Sequence, residues 1–340
     1  MSREVILTGL RSNSDFHIGN YLGAILPMVQ LQKDHSENCQ INMFVPDLHS
    51  FTTPVNHSKL YEQTLTNIKY YVAAGLDLTD NNTYIYRQSY ISAHSELAWI
   101  LSCFTYVGEL NRMTQFKEKS TKTTSAGLLI YPVLMSADIL LYDASWVPVG
   151  DDQRQHLELA RDLALRLNNK FGDVFTVPYE WEKQLALTHR EHGVRIRSLR
   201  NPKNKMSKSI QDPNGTIMLS DKPEEAAKKI ITATTDSLSS INYDWDNQPG
   251  ISNLLLILAL LTNTSVESLL TEWKGKSSYG DLKATVADEV KKFLTQLQLK
   301  LNKIDETSLT KKLAHDEDAM RSVAIKKLEY VQKVVGIRPK

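Results

Sequence analysis

Val5-Ile6-Leu7-Thr8-Gly9-Leu10, followed across a polar turn by His17-Ile18-Gly19-Asn20, is the stretch on which the fold of this chain turns. Its first part has the β-branched and apolar character of a buried strand, and its second opens a helical pattern that runs to Gln32. Gly19 stands where the chain enters that helix, a position where a residue without a side chain lets backbone approach a nucleotide at a helix N-terminus.

Outward from there the alternation continues, with Ile41 to Val45 reading as a strand, Leu60 to Ala74 as a helix and Thr83 to Arg87 as a strand. The pattern predicts an α/β fold, a parallel sheet covered by helices. Ligands of such sheets sit beyond the carboxyl ends of the strands, which draws Gly9 to Asn20, Asp47 to His49 and Gln88 toward one crevice. From Ser95 to Tyr142 the chain reads as helices interrupted by a polar, aperiodic loop from Lys117 to Ser125. Trp146 to Gly150 reads as a further strand ending in a glycine turn, and His156 to Leu167 as a helix, with Asp152 and Gln155 in the spacing of a capping box. Beyond residue 200 only helices are expected: Glu224 to Thr232, Ser252 to Leu261, Val266 to Trp273, Leu282 to Leu301 and Ala319 to Val335. Many lysines punctuate them, a pattern that by itself describes a solvated face.

The 340 residues are enough for two domains, and 41% hydrophobic with 23% charged residues is an ordinary globular composition that excludes disordered and collagen-like chains. A net charge of +1 argues against a protein held to nucleic acid by bulk electrostatics, so an RNA partner would be bound locally. Cys39 and Cys103 have no metal-ligand spacing, so no metal site is expected, and a reducing, cytoplasmic compartment fits them. The N-terminus shows no export signal, and the apolar run Leu254 to Leu261 is too short to span a bilayer and reads as a core helix.

Lys205-Met206-Ser207-Lys208-Ser209 has another character. Its serines are poor helix formers set beside two lysines, which suits a loop carrying ammonium groups to a polyphosphate. With that loop downstream of His17 to Asn20, the chain resembles the class I aminoacyl-tRNA synthetases, and the residues between are similar to the tryptophanyl branch of bacterial and mitochondrial type. The resemblance spans nearly the whole chain and rests on Gly19 to Ala24, Met113 to Ser120, Tyr131 to Tyr142, Val147 to Gln153 and Pro249 to Leu255.

The resemblance implies a Rossmann-type catalytic domain over residues 1–200 with a helical insertion at about 95–145. Residues 201–340 would carry the lysine loop and a helical anticodon-binding domain, whose last helix packs back on the first. It implies ATP with Mg²⁺, L-tryptophan and tRNA(Trp) as partners, and a homodimer for which Leu97 to Phe104 could supply apolar contacts. Lys119, Lys205 and Lys208 would stabilise the departing pyrophosphate, and Arg11, Ser12 and Asn13 would also contact ATP, Arg11 at the triphosphate. Adenosine would lie over Gly19 and Asn20, with Gly150, Asp151 and Asp152 near the ribose, Ile196 near the base and Met206, Ser207 and Ser209 in the closing loop. The acidic pair equally suits a helix cap, and both roles can coexist. Asp138, a carboxylate in an apolar stretch, would accept the indole N–H, with His49, Tyr131, Met135 and Gln153 lining its pocket. Read without the family, His49 and His156 are as well explained as structural histidines, and Asp138 could bond backbone.

The chain departs from the family at Ser12-Asn13-Ser14, where a turn ending in Gly is usual, at Pro46, at Arg197, and at Ile210-Gln211, which lengthen the lysine loop. Two other readings remain: a tyrosine-specific relative, against which Asp138 argues, and a noncatalytic nucleotide- or tRNA-binding paralogue, against which the retained lysines argue.

Overall fold

Three strands, β1 (Val5–Gly9), β2 (Gln40–Val45) and β3 (Thr83–Arg87), pair in parallel in the order β1-β2-β3, with Ile6 opposite Ile41 and Ile41 opposite Thr83. The computed structural model describes residues 3–13, 15–52, 54–121, 123–188, 195–207, 212–273 and 276–339. Because side chains alternate across a strand, Ile6, Ile41, Met43 and Ile85 enter one core while Leu7, Phe44 and Tyr86 enter the other.

The first core is roofed by α1 (Ile18–Asn20), a π-helical segment Tyr21–Ile25, α2 (Leu26–His35) and α3 (Leu60–Ala74). Gly75 ends α3 at φ 112°, a left-handed position that a side chain would strain. The second core is covered by α4 (Ala93–Ser102), α5 (Val107–Arg112), α6 (Thr114–Lys119), α7 (Ala126–Leu140) and α8 (Arg154–Phe171). α9 (Trp181–Thr188) follows.

The structure corrects four details of the sequence reading. The expected strand from Trp146 to Gly150 reduces to one parallel bridge between Trp146 and Ile6, because Val147 N–H donates to Gln184 Oε1 at 2.7 Å and Pro148 has no N–H to give. Lys117 to Lys119 belong to α6 rather than to a loop, lysines in a last turn being favoured by the helix dipole. The Asp152 and Gln155 capping box does not form: Gln155 Oε1 instead accepts from Thr114 N–H at 2.8 Å, and Asp152 Oδ2 accepts from the Gln153 amide. Finally, the last helix begins at Glu306 rather than near Ala319, where Asp305 accepts from the N–H groups of Thr307 and Ser308.

After the lysine loop come α10 (Pro223–Ile231), α11 (Pro249–Thr262), α12 (Val266–Trp273), α13 (Tyr279–Asn302) and α14 (Glu306–Val334). The core begun at Ile6 runs without a break through Ile196, Leu199 and Ile217 to Leu255, Val290 and Leu313. Gly250 is needed where α11 starts, because a β-carbon there would stand 2.3 Å from Thr234 O. One turn on, Asn253 clamps the backbone of Arg197, accepting from its N–H at 2.8 Å and donating to its C=O at 3.0 Å. The Arg197 guanidinium lies 4.3 Å from the Trp245 ring, which accounts for an arginine there. α14 covers the edge of the sheet: Asp316 Oδ2 accepts from Ile85 N–H at 2.8 Å, and Glu317 takes Arg87 Nε at 2.6 Å and Nη2 at 3.0 Å. Among the described residues no single helix is long and apolar enough to cross a membrane, and the apolar run from Leu254 belongs to the largely buried α11.

Candidate active site

The carboxyl ends of β1 and β2, the inner face of α7 and the turn before α8 enclose a cavity of about 400 Å³. Gly9, Phe44, Pro46, His49, Lys119, Tyr131, Met135, Asp138, Gly150 and Gln153 are among its walls. The residues expected from sequence to hold an aromatic amino acid, namely His49, Tyr131, Met135, Asp138 and Gln153, thus meet in one place, joined by Lys119 and Gly150.

Asp138 lies on the buried side of α7 and is wholly inaccessible. Such a carboxylate is tolerable only if donors replace its water. Three do: His49 Nε2 at 2.8 Å on Oδ2, and Gln88 Nε2 at 2.7 Å and His94 Nδ1 at 2.6 Å on Oδ1. Burial pushes the carboxyl up, but the hydrogen bonds and charges of His49 and His94 outweigh it and bring the pKa down to about 2. Asp138 therefore stays an anion. The loops that carry its donors are tied together, since Asp47 Oδ1 accepts from Ser89 N–H at 2.9 Å. His94 has no role in the sequence reading, and Gln88 has none as a partner of Asp138. Gln88 was placed near the crevice as a strand-end residue, whereas nothing local marks a histidine at the start of α4 as a partner of a residue 44 positions later.

Across the cavity the Tyr131 hydroxyl bonds His156 Nε2 at 2.8 Å. Burial lowers the His156 pKa to about 4, so the ring is neutral near pH 7. His156 is structural here, whereas His49 both lines the cavity and binds Asp138.

The first signature forms a second centre outside those walls. His17 caps α1, its Nδ1 accepting from Asn20 N–H at 3.2 Å while Asn20 Oδ1 accepts from His17 N–H at 3.1 Å. A β-carbon on Gly19 would stand 3.0 Å from His17 Nδ1 and 3.2 Å from Ile196 Cβ, a tight fit that favours glycine whether or not a nucleotide is bound. The His17 pKa falls to about 4, first through burial and then through the charges of Arg11 and Lys205, which brings two cations to bear on this end of the sheet. Arg11 Nε donates to Asn13 O at 3.0 Å, and the buried Ser12 hydroxyl lies 2.6 Å from Ser50 Oγ.

Ile196 and Met206 are buried in a short hairpin in which Met206 N–H donates to Ile196 O at 3.0 Å and Arg197 bridges Lys205. Ser207 O accepts from the Thr216 hydroxyl at 3.3 Å. Asp151 and Asp152 are exposed beside Gly150. Lys208, Ser209, Ser14 and the Ile210-Gln211 pair lie outside the described residues. An apolar slot with one fixed anionic acceptor at its base, next to a cation-rich helix start, can hold a ring bearing an N–H while a phosphate chain lies at the helix end.

Residues 2–295 match the family described as tRNA synthetases class I (W and Y). The tryptophan–tRNA ligase of Caldanaerobacter subterraneus subsp. tengcongensis is 43% identical over 334 residues, covering 98% of each chain, and that of Malacoplasma penetrans is 40% identical over 343 residues, again 98% of each. Among solved structures, tryptophanyl-tRNA synthetase from Mycoplasma pneumoniae superposes with a TM-score of 0.79 at 33% identity, covering 98% of both chains. The Campylobacter jejuni enzyme complexed with ADP and tryptophan gives 0.78 at 32% identity, covering 98% of this chain and 99% of that one.

Proposed function

This chain belongs to the class I tRNA synthetases of the tryptophan and tyrosine group, and from that premise we infer that it is a ligase joining L-tryptophan to tRNA at the expense of ATP. The observation that carries tryptophan rather than tyrosine is Asp138, a fully buried anion at the base of an apolar cavity. The two tryptophan–tRNA ligases named above, 43% and 40% identical over 98% of this chain, support the same choice.

In the first step the tryptophan carboxylate attacks the α-phosphorus of ATP, the bond to the β,γ-diphosphate breaks, and an adenylate and pyrophosphate result. In the second a terminal ribose hydroxyl of the tRNA attacks the acyl carbon and AMP leaves. Neither step needs a protein nucleophile, so catalysis rests on positioning and on cations where charge gathers. Asp138 accepts the indole N–H, with Met135 and the Tyr131 ring as walls and Gln153 toward the ammonium group. Adenosine lies over Gly19 and Asn20 beside Ile196, with Gly150, Asp151 and Asp152 at the ribose. Arg11, Lys119 and Lys205 face the phosphates, and Lys208 joins them on sequence grounds. Support for this placement comes from Lys119 on the cavity wall and from the charges of Arg11 and Lys205 at His17. Among the described residues no cluster of three His, Cys, Asp or Glu side chains is placed to cage a metal. Mg²⁺ in this reading would accompany ATP, and the chemistry it would supply is charge neutralisation, beside Arg11, Lys119 and Lys205.

Residues 1–200 form the catalytic domain in this proposal, with the insertion at about 95–145, and residues 201–340 carry the lysine loop and the helices that reach the anticodon. A homodimer is supported by Trp99, Tyr106 and Val107, large apolar residues left exposed on α4, on α5 and between them. A cytoplasmic setting follows from the reaction and the free cysteines. Charging of tRNA(Trp) transcript with labelled amino acid tests the reading: tryptophan should be esterified and tyrosine not, and the reverse would transfer the chain to the tyrosine branch.

A further inference from the structure

The carboxylate of Asp138 is held unequally. Oδ1 takes two donors that are themselves wholly buried, Gln88 Nε2 and His94 Nδ1, so its acceptor positions are filled. Among the described residues Oδ2 takes one, His49 Nε2, and His49 stands on the cavity wall, whereas Gln88 and His94 lie behind it. His94 is braced in turn: its Nε2 is 2.9 Å from the Tyr142 hydroxyl, with the two rings 5.5 Å apart. With Nδ1–H donating to the carboxylate, the Tyr142 hydroxyl holds the other ring nitrogen from behind. Burial foremost, and also the charge of Asp138, holds that phenol well above its ordinary pKa, so it stays protonated.

We propose that His94, seated on Tyr142, is a positioning residue for amino-acid selection: it pins Oδ1 and thereby assigns the indole N–H of tryptophan to Oδ2, the oxygen with an acceptor position still open. The inference rests on the tryptophan reading above. An indole N–H points along one direction in the plane of its ring, whereas a phenolic O–H can swing to meet an acceptor wherever it lies. A carboxylate free to turn would serve both; one locked from behind favours the rigid donor. His94 touches no substrate, and its effect passes through Asp138.

The test compares kcat/KM for tryptophan with that for benzothienylalanine, an isostere whose sulfur replaces the indole N–H. It is run on the wild type, Tyr142→Phe, His94→Leu and His94→Asn, with KM for ATP measured alongside. The wild type should prefer tryptophan strongly. His94→Leu should shrink that ratio about 10-fold or more, the size expected for a hydrogen bond to a charged group, with KM for ATP unchanged. His94→Asn, whose amide nitrogen stands where Nδ1 stood, should restore most of the ratio, and Tyr142→Phe, which removes one hydroxyl, should lower it severalfold. An unchanged ratio in His94→Leu, or in Tyr142→Phe alone should the leucine variant not fold, overturns the positioning role. A wild type that does not activate tryptophan overturns this inference together with the function it rests on, and is recognised because the wild-type ratio is measured first.

Discussion

A carboxylate without solvent contact keeps its charge only where donors make up for lost water, and at Asp138 one of the three donors, His49, also lines the cavity. Asp138→Asn keeps the shape but removes the charge and turns an acceptor into a donor against His94 or Gln88. We expect kcat/KM for tryptophan to fall on the order of 10²-fold or more with KM for ATP held, read by steady-state adenylate formation; an unchanged preference over phenylalanine and tyrosine would contradict the pocket. Two of the buried histidines, His17 and His156, give a pH signature. His17 and His156 titrate at about 4 in the folded chain against 6.5 for the free side chain. Above pH 6.5 both states are neutral; between 6.5 and 4 the unfolded chain binds protons that the folded chain does not, so stability falls as pH drops across that window. Asp138 acts lower, its stabilisation being lost as pH falls from 3.8 toward 2. Denaturant midpoints between pH 7 and pH 4 should show the decline, and His17→Asn, which retains a helix cap without a titrating ring, should flatten it. A profile as steep as wild type would remove His17 from the account.

β2 and β3 are legible in sequence as short apolar runs buried on both faces, and α3 through the period of its buried face. What was not legible depends on partners distant in sequence. Gln184 takes the N–H that would have extended a strand from Trp146 to Val147, and Gln155 turns to α6 instead of capping its own helix. The start of α14 was hidden because Glu306 to Asp318 is mostly polar, and its buried carboxylates face strand backbone rather than an apolar core. The same holds within the site: the cavity walls followed from contiguous motifs, while Gln88 and His94 needed three dimensions to be joined to Asp138. α11 illustrates an element doing two jobs, since Gly250 lets it approach Thr234 and Asn253 fastens it to the hairpin leading into Lys205. Gly250→Ala must push a β-carbon against a backbone carbonyl, so we expect a destabilisation of about 1–3 kcal/mol or more, seen as a lower melting temperature. Melting at the wild-type temperature would mean that the helix can shift freely.

At the scale of the whole molecule the end of the chain returns to its beginning. Glu317 on α14 pairs with Arg87 in a buried bidentate contact, one residue before Gln88, which holds Asp138. Glu317→Ala leaves Arg87 buried and unpaired, a change that typically costs about 3–5 kcal/mol; calorimetric melting measures it, and a negligible shift would show that α14 adds little to the catalytic sheet. One core joining the sheet to α11 and α13 gives the protein a way to hold the hairpin of Lys205 near His17. The central claim, a site that activates tryptophan with ATP, is tested most directly by amino-acid-dependent exchange of labelled pyrophosphate into ATP with purified protein and Mg²⁺. Exchange with tryptophan and not with tyrosine or phenylalanine is the predicted result; exchange driven by tyrosine, or none with any amino acid, would contradict it.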